Sequence, residues 1–514
     1  MHFLQTSDYI VLIAYFVIVG FYGWWIYTRK KNNAASASTE FFLAEGQLTW
    51  WAIGASLIAS NISAEQMTGM SGSGFHLGLA ISSYEWMAAL TLIIVAVFFM
   101  PVYLKNRIYT MPQFLYKRYN ASVAMIMAVF WLLLYIVVNL LSILYLGGVA
   151  IAGITGLDFT VCVLLLAIFS VVIALGGMKV VGYTSAIQVL FLIFSGILGL
   201  YISLNMIAGG DGIVKGFHIL KNEVPGHFHM IFDKTNPDYI DLPGLSVLVG
   251  GMWIANLNYW GCNQYITQRA LGASLPVARK GILFAAFLKM LMPVIIVVPG
   301  IAIYYLYKNN MIDHSLIDIQ RDGALVPDSN KTYPTLLQLL PVGIKGITVA
   351  AFAATVISSL AAKVNSISTI FTLDIYKKAF NRNAGEAQLV NVGKASIIIA
   401  TVIGVILTIA LGDALMGEGK QGFQYIQEYT GFVSPGIFAM FLLGFFWKKT
   451  TSNAAMFAIV GGFIFSVILK VLPDSLNLQF LYKYGFAVLN KDRVYEIPFL
   501  DRMMIVFIFC VVCM

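Results

Sequence analysis

Charge is what this chain has least of. Only 11% of its 514 residues are Asp, Glu, Lys or Arg, against about 25% in an ordinary soluble domain. Hydrophobic residues make up 59% and mean hydropathy is +0.83, which excludes a soluble globular class and predicts a polytopic membrane protein. Cysteine is scarce too. Cys162, Cys262, Cys510 and Cys513 all lie in apolar segments, where disulfides are not expected. The six histidines are scattered, and no His/Asp/Glu group has metal-ligand spacing, which argues against an enzyme. The first apolar run, Tyr9 to Tyr27, follows Asp8 rather than a basic region and lacks a small-residue cleavage site, so it reads as a retained helix.

A net charge of +8 does not point to nucleic acid, because the basic residues sit in short loops between apolar runs. Topology accounts for them: inward loops would hold Arg29 to Lys31, Lys105 to Arg118, Lys179, Arg269 to Lys280, Lys377 to Arg382, and Lys448 with Lys449. The connections around Gly74, Gly153 and Gly412 are nearly free of Lys and Arg. This predicts an N-terminus outside and a multi-pass chain in a bacterial inner (plasma) membrane.

What is present is a series of apolar runs of about 20 residues. They suggest one transmembrane domain over 1–514: a lead helix at 8–27, a group of five at 51–208, a second five at 242–446, and extra helices at 451–514. The chain ends inside an apolar run, so a longer natural C-terminus is expected. The outward segment 209–241 reads as a lid over the mouth or as a mobile connection.

Two runs are interrupted by polar residues. In Ala52 to Gly74, Ser60, Asn61, Ser63, Glu65 and Gln66 fall at mid-length, and in 242–263 Asn256, Tyr259, Trp260 and Asn263 form a stripe. Unwound turns survive in lipid only where they line a cavity or hold a ligand; the alternative for the first is a helix packed closely through its small residues. Placed first in each group of five, the breaks match an inverted five-plus-five repeat.

A break near Asn61 frees the carbonyls of Ala59 and Ile62 from their i+4 partners, and free carbonyls suit a small cation. Thr355, Ser358 and Ser359, at i, i+3 and i+4, can aim one carbonyl and two hydroxyls at the same point. Neutral oxygens favour a monovalent ion over Ca²⁺ or Mg²⁺. The hydroxyls could instead bond back to the preceding turn. Two charges lie deep in apolar runs, Glu85 and Lys289, each costing roughly 2.5 to 3.5 kcal/mol even on the lenient insertion scale. They imply a polar cavity or a mutual ion pair. With Gln66, Asn256, Tyr259 and Gln427 they supply the amides, charges and aromatic face that a hydroxyl-rich ring requires.

The stretches GASLIASNISAEQ, SSYEWM, NYWGCNQYITQR, FAAFLK, ISSL, FQYIQEYTG and SPGIFAMFLLGFFWKKTTS resemble the sodium:solute symporter family, most closely its bacterial sodium/galactose and sodium/glucose branch, from the lead helix to about residue 450. The resemblance implies an all-α LeuT-type fold with flanking extra helices, and sodium-coupled alternating access importing a neutral hexose. It implies sodium ligands on the backbone of Ala59, Ile62 and Thr355 and the hydroxyls of Ser358 and Ser359. The sugar would meet Gln66, Glu85, Asn256, Lys289 and Gln427. Tyr259 would form the inner gate with Asn61 and Trp260, while Met70, Tyr84 and Phe423 would cover the outer side. Other hydroxylated solutes such as inositol, a sialic acid, a proton as coupling ion through Glu65 or Glu85, and a sugar-responsive sensor or channel are the alternatives.

Three positions depart from that pattern. Ala88 replaces a serine one turn from the glutamate, Ser185 replaces an aspartate along the sodium exit route, and Lys363 stands one turn beyond Ser359 where the branch has no charge. Repulsion of sodium by Lys363 at about 6 Å is on the order of 2 to 3 kcal/mol at an effective dielectric of about 20, predicting weaker sodium retention. The alternative is that Lys363 points into cytoplasmic water.

Overall fold

The computed structural model describes residues 4–28, 41–42, 48–321, 323–416, 422–490 and 493–514. Helices dominate because a backbone in hydrocarbon must satisfy its own hydrogen bonds within each segment. Among the described residues, eight helices are long and apolar enough to cross a bilayer. The order is α1 (Thr6–Thr28), α2 (Trp50–Asn61), α3 (Ser71–Leu77), α4 (Ser83–Ile94, continuing to Lys105), α5 (Ala121–Thr155), α6 (Phe159–Leu175) and α7 (Gly177–Ile207). After the outer segment with its amphipathic α8 (Ile213–Glu223) come α9 (Gly251–Leu257), α10 (Gln264–Leu271), α11 (Leu275–Lys308), α12 (Ile344–Thr369) and α13 (Glu386–Met416). The chain continues through α14 (Gly422–Gly431), α15 (Ser434–Phe446), α16 (Ser452–Ser475) and α17 (Phe499–Cys513).

The centre of the bundle is α12, whose span is 94% buried in protein, against 22% for α1. It is ringed by α1, α5, α6, α7 and α13, which its small residues Ala350, Ala353, Ala354, Ala361 and Ala362 allow to approach closely. The outer helices turn the other way: Ile10, Ile13, Val17 and Phe21 of α1, and Ile399, Val402 and Ile406 of α13, are exposed as a lipid-facing surface requires. Asp8 of α1 is fully buried, and its Oδ1 accepts from the amides of Gly343 at 2.7 Å and Gly346 at 3.0 Å. The lead helix thus supplies the carboxylate that caps α12, where free amides and the helix dipole favour an anion.

The first interrupted run is broken as its polar residues suggest. Helix α2 stops at Asn61, Ile62 leaves helical geometry at φ −77°, ψ 87°, and a wide π-type turn at Glu65–Met70 leads into α3. Gly78, at φ +73°, then reverses the chain, and a Cβ there would collide with the backbone of His227. The second run also breaks: α9 passes through a π-type turn at Asn258–Cys262, and Asn263 is extended before α10 begins.

Two features differ from the expectation by composition, and a third matches one of its two alternatives. The run expected over 422–446 is split, because Phe432 and Val433 form a turn ahead of Pro435, which opens α15. The connection after α11 folds into a hairpin of β1 (Asp318–Arg321) and β2 (Ala324–Pro327), with Asp318 opposite Pro327. The outer segment 209–241 is a packed lid: His227 Nε2 bonds the Phe75 carbonyl at 3.0 Å and stacks on Tyr304, and His76 pairs with Asp238 at 3.1 Å.

Candidate functional site

Both breaks face one cavity near the middle of the bundle. Its wall includes Gln66, Glu85, Asn256, Tyr259, Lys289 and Gln427, so all the residues expected to meet a hydroxylated ring converge. Glu85, on the first turn of α4, accepts from the Lys289 ammonium of α11 at 2.5 Å and from the Gln66 side-chain amide. Both charged side chains are buried, so each satisfies the other where an isolated charge would be prohibitive. Lys289 also lies 5.4 Å from the Trp260 ring centroid. Lys289 stands well inside the long helix Leu275–Lys308, and through Glu85 it is linked to Gln66 of the first broken segment.

Aromatic groups bound the cavity on two sides. Tyr84 and Phe423 meet edge to face with centroids 5.2 Å apart. On the other side Tyr259 packs edge-on to Trp260, and its hydroxyl accepts from Asn61 Nδ2 at 3.0 Å and bonds the hydroxyl of Tyr265. Of the residues expected to form gates, Asn61, Tyr84, Tyr259, Trp260 and Phe423 line the cavity, whereas Met70 does not: it is fully buried one turn beyond Gln66, with its sulfur 3.5 Å from that amide.

The oxygen cluster expected for a small cation is assembled in part. The amide of Ser63 donates to Asn61 O at 2.9 Å, and that of Gln66 to Ser63 O at 3.1 Å, so neither closes a regular helix on Ala59 or Ile62. Ser359 of α12 reaches the break, its hydroxyl 3.1 Å from Ala59 O. Ser358 is held differently, with its hydroxyl 2.6 Å from that of Ser185 on α7. Thr355 and Ile62 are each buried, and the Thr355 hydroxyl bonds back to Ala351 O at 2.7 Å.

Lys363 requires a correction. It does not point into cytoplasmic water: it is buried in the cavity wall, its Nζ 3.5 Å from Glu65 Oε2. Nor is it an uncompensated positive charge, because the Glu65 carboxylate offsets it and the simple repulsion expected of sodium does not hold. Glu65 and Asn263, expected among the polar interruptions but given no part in the sugar site, also line the cavity, as do Trp131, Asn139, Asn258 and Ser434, which the sequence reading does not name. Asn139 carried a usable signal, as an amide isolated in the apolar run LYIVVNL.

The model of one transporter family, the sodium:solute symporter family, matches residues 41–462. The chain belongs to the sodium:solute symporter family. It is 48% identical over 492 residues to the sodium/glucose cotransporter of Vibrio parahaemolyticus, covering 95% of this chain and 90% of that protein. It is 32% identical to the human sodium/myo-inositol cotransporter 2 over 93% of this chain and 71% of the relative. Among solved structures, the substrate-bound outward-open state of a Na⁺-coupled sialic acid symporter superposes with a TM-score of 0.79 at 21% identity, covering 99% of this chain and 97% of that one. The fold is the LeuT type expected of this family, with extra helices flanking a ten-helix inverted repeat. This family member is a multi-pass membrane transporter whose coupling ion is sodium.

Proposed function

We propose that this symporter imports a neutral hexose, glucose or galactose, by sodium-driven alternating access. The observation that carries the reading is the Glu85 carboxylate, paired with Lys289 and bonded by Gln66 at the wall of a cavity lined with amides and aromatic rings. Because Lys289 is committed to Glu85, the pair presents no net charge, and the cavity suits hydroxyls that donate and accept together. Asn256, Gln427 and Tyr259 supply the remaining polar edge and the ring to lie against. The domain divides into the lead helix, repeats at 51–208 and 242–446, and flanking helices, with the N-terminus outside a bacterial inner membrane, as the basic loops support.

Sodium would lie among the backbone oxygens of Ala59, Ile62 and Thr355 and the hydroxyls of Ser358 and Ser359. The Ser359–Ala59 contact supports this, since it is the point where α12 meets the carbonyls freed by the first break. Gln66 lies on the same broken segment and faces the sugar, so one unwound turn senses both occupants. By linkage, sodium tightens sugar binding by the factor with which sugar tightens sodium binding.

Ala88 lines the cavity and brings a methyl group where a hydroxyl would add a hydrogen bond, which favours testing other hydroxylated solutes such as inositol. Radiolabelled glucose, galactose, myo-inositol and a sialic acid are compared in proteoliposomes under separate sodium and proton gradients. Concentrative hexose uptake driven by sodium is expected. Uptake driven only by protons, or preferring the carboxylated solute, overturns the assignment.

A further inference from the structure

Glu65 sits just past the break in the first interrupted run, and three groups converge on it. The Ser142 hydroxyl of α5 donates to Oε1, and the Ser63 hydroxyl lies 3.2 Å from Oε2. Lys363 reaches Oε2 from α12, one turn beyond Ser359, and its ammonium lies 5.0 Å from the centroid of the Tyr265 ring. The carboxylate and the aromatic face hold the ammonium while the two hydroxyls hold the carboxylate, and hard oxygens with a π face make a setting that attracts a monovalent cation. Here the cation is part of the chain.

We propose that Lys363 is a tethered cation filling a second cation site made by Glu65, Ser63 and Ser142, and that it takes the place of a mobile sodium ion there. The site spans the same helices as the Ala59–Ser359 oxygens, joining α12 to the broken segment, so any cation in it ties the two together. A diffusible ion would do so only when bound. The ammonium does so throughout the cycle, leaving the sodium dependence of transport to the Ala59–Ser359 site alone. The Tyr265 ring beneath the ammonium carries the hydroxyl that bonds the gate residue Tyr259, so the charge in this site also bears on the inner gate.

The proposal rests on the sodium-symport reading above, and the test separates the two. Initial rates of glucose uptake, or of galactose should that be the carried sugar, are measured in proteoliposomes as a function of external sodium. The wild type is expected to show a Hill coefficient of about one, Lys363→Arg the same, and Lys363→Met a rise towards about two as sodium enters the vacated site. The double variant Lys363→Met/Glu65→Gln is expected to return to about one. A wild-type coefficient near two overturns the proposal without any variant. So does Lys363→Met remaining at one, whether or not its uptake becomes acid-dependent through protonation of Glu65. Should Lys363→Met not insert stably, Lys363→Gln is read by the same two outcomes. Wild-type uptake that ignores sodium altogether refutes the symport reading instead.

Discussion

The Lys289 ammonium and the Glu85 carboxylate stand 2.5 Å apart between α11 and α4, both sealed from solvent, with Gln66 of the broken segment on the same carboxylate. This relationship joins the two halves of the chain across the cavity. Removing one partner strands a buried charge, at a cost of about 3–5 kcal/mol. Glu85→Gln or Lys289→Met alone should therefore lower both thermal stability and uptake. The double variant should recover most of the stability but leave sugar uptake at least about tenfold down, equivalent to ~1.4 kcal/mol. Thermal unfolding in detergent and uptake rates check the two effects separately.

Tyr259 tests the inner gate. Its hydroxyl joins Asn61 to Tyr265, and deleting it in Tyr259→Phe removes hydrogen bonds worth about 1 kcal/mol each. The expected result is faster sugar release from preloaded vesicles and a lower accumulation ratio, with little change in expression. Unaltered efflux would show that the tyrosine does not restrain the sugar.

Asp8 lies far from the cavity and should act on stability alone. Its carboxylate caps the amides of Gly343 and Gly346 at the start of α12. Asp8→Ala is expected to cost about 0.5–2 kcal/mol, in the range of other helix caps. A lowered unfolding temperature with an unchanged half-saturating sugar concentration is the predicted signature.

The lid should loosen in acid. Burial against Tyr304 and the end of α3 holds the His227 imidazole below its ordinary pKa, with the Phe75 carbonyl and Asp238 opposing and His76 and Lys308 reinforcing that direction. A depressed value means the folded lid prefers the neutral ring. Its contribution is complete above the unfolded value of about 6.5 and is lost as pH falls through the lower folded value. Hydrogen exchange over residues 213–228 should therefore rise in mild acid for the wild type and change less in His227→Gln.

Residues that act within their own segment are the ones whose roles show in the sequence. Helices and both breaks were legible because polar residues in lipid must be explained by what they line, and Asn61, Gln66, Glu85 and Lys289 were legible for the same reason. The split between α14 and α15 was not, since Phe432 and Val433 continue the apolar pattern and the turn is marked only by Gly431 before it and Pro435 after it. Lys363 was misread because its partner Glu65 is nearly three hundred residues away in the chain, and spacing along one helix cannot show a contact between two. Met70, expected over the sugar from the family resemblance, instead packs its sulfur against the Gln66 amide, away from the cavity wall.

The central claim is that one broken helix couples ion to sugar through Ala59, Ser359 and Gln66. The most direct test is the equilibrium affinity of the purified symporter for hexose in sodium and in choline, repeated with Ser359→Ala. Sodium should tighten hexose binding in the wild type, and most of that gain should vanish in Ser359→Ala. Equal affinity with and without sodium in the wild type would contradict the account.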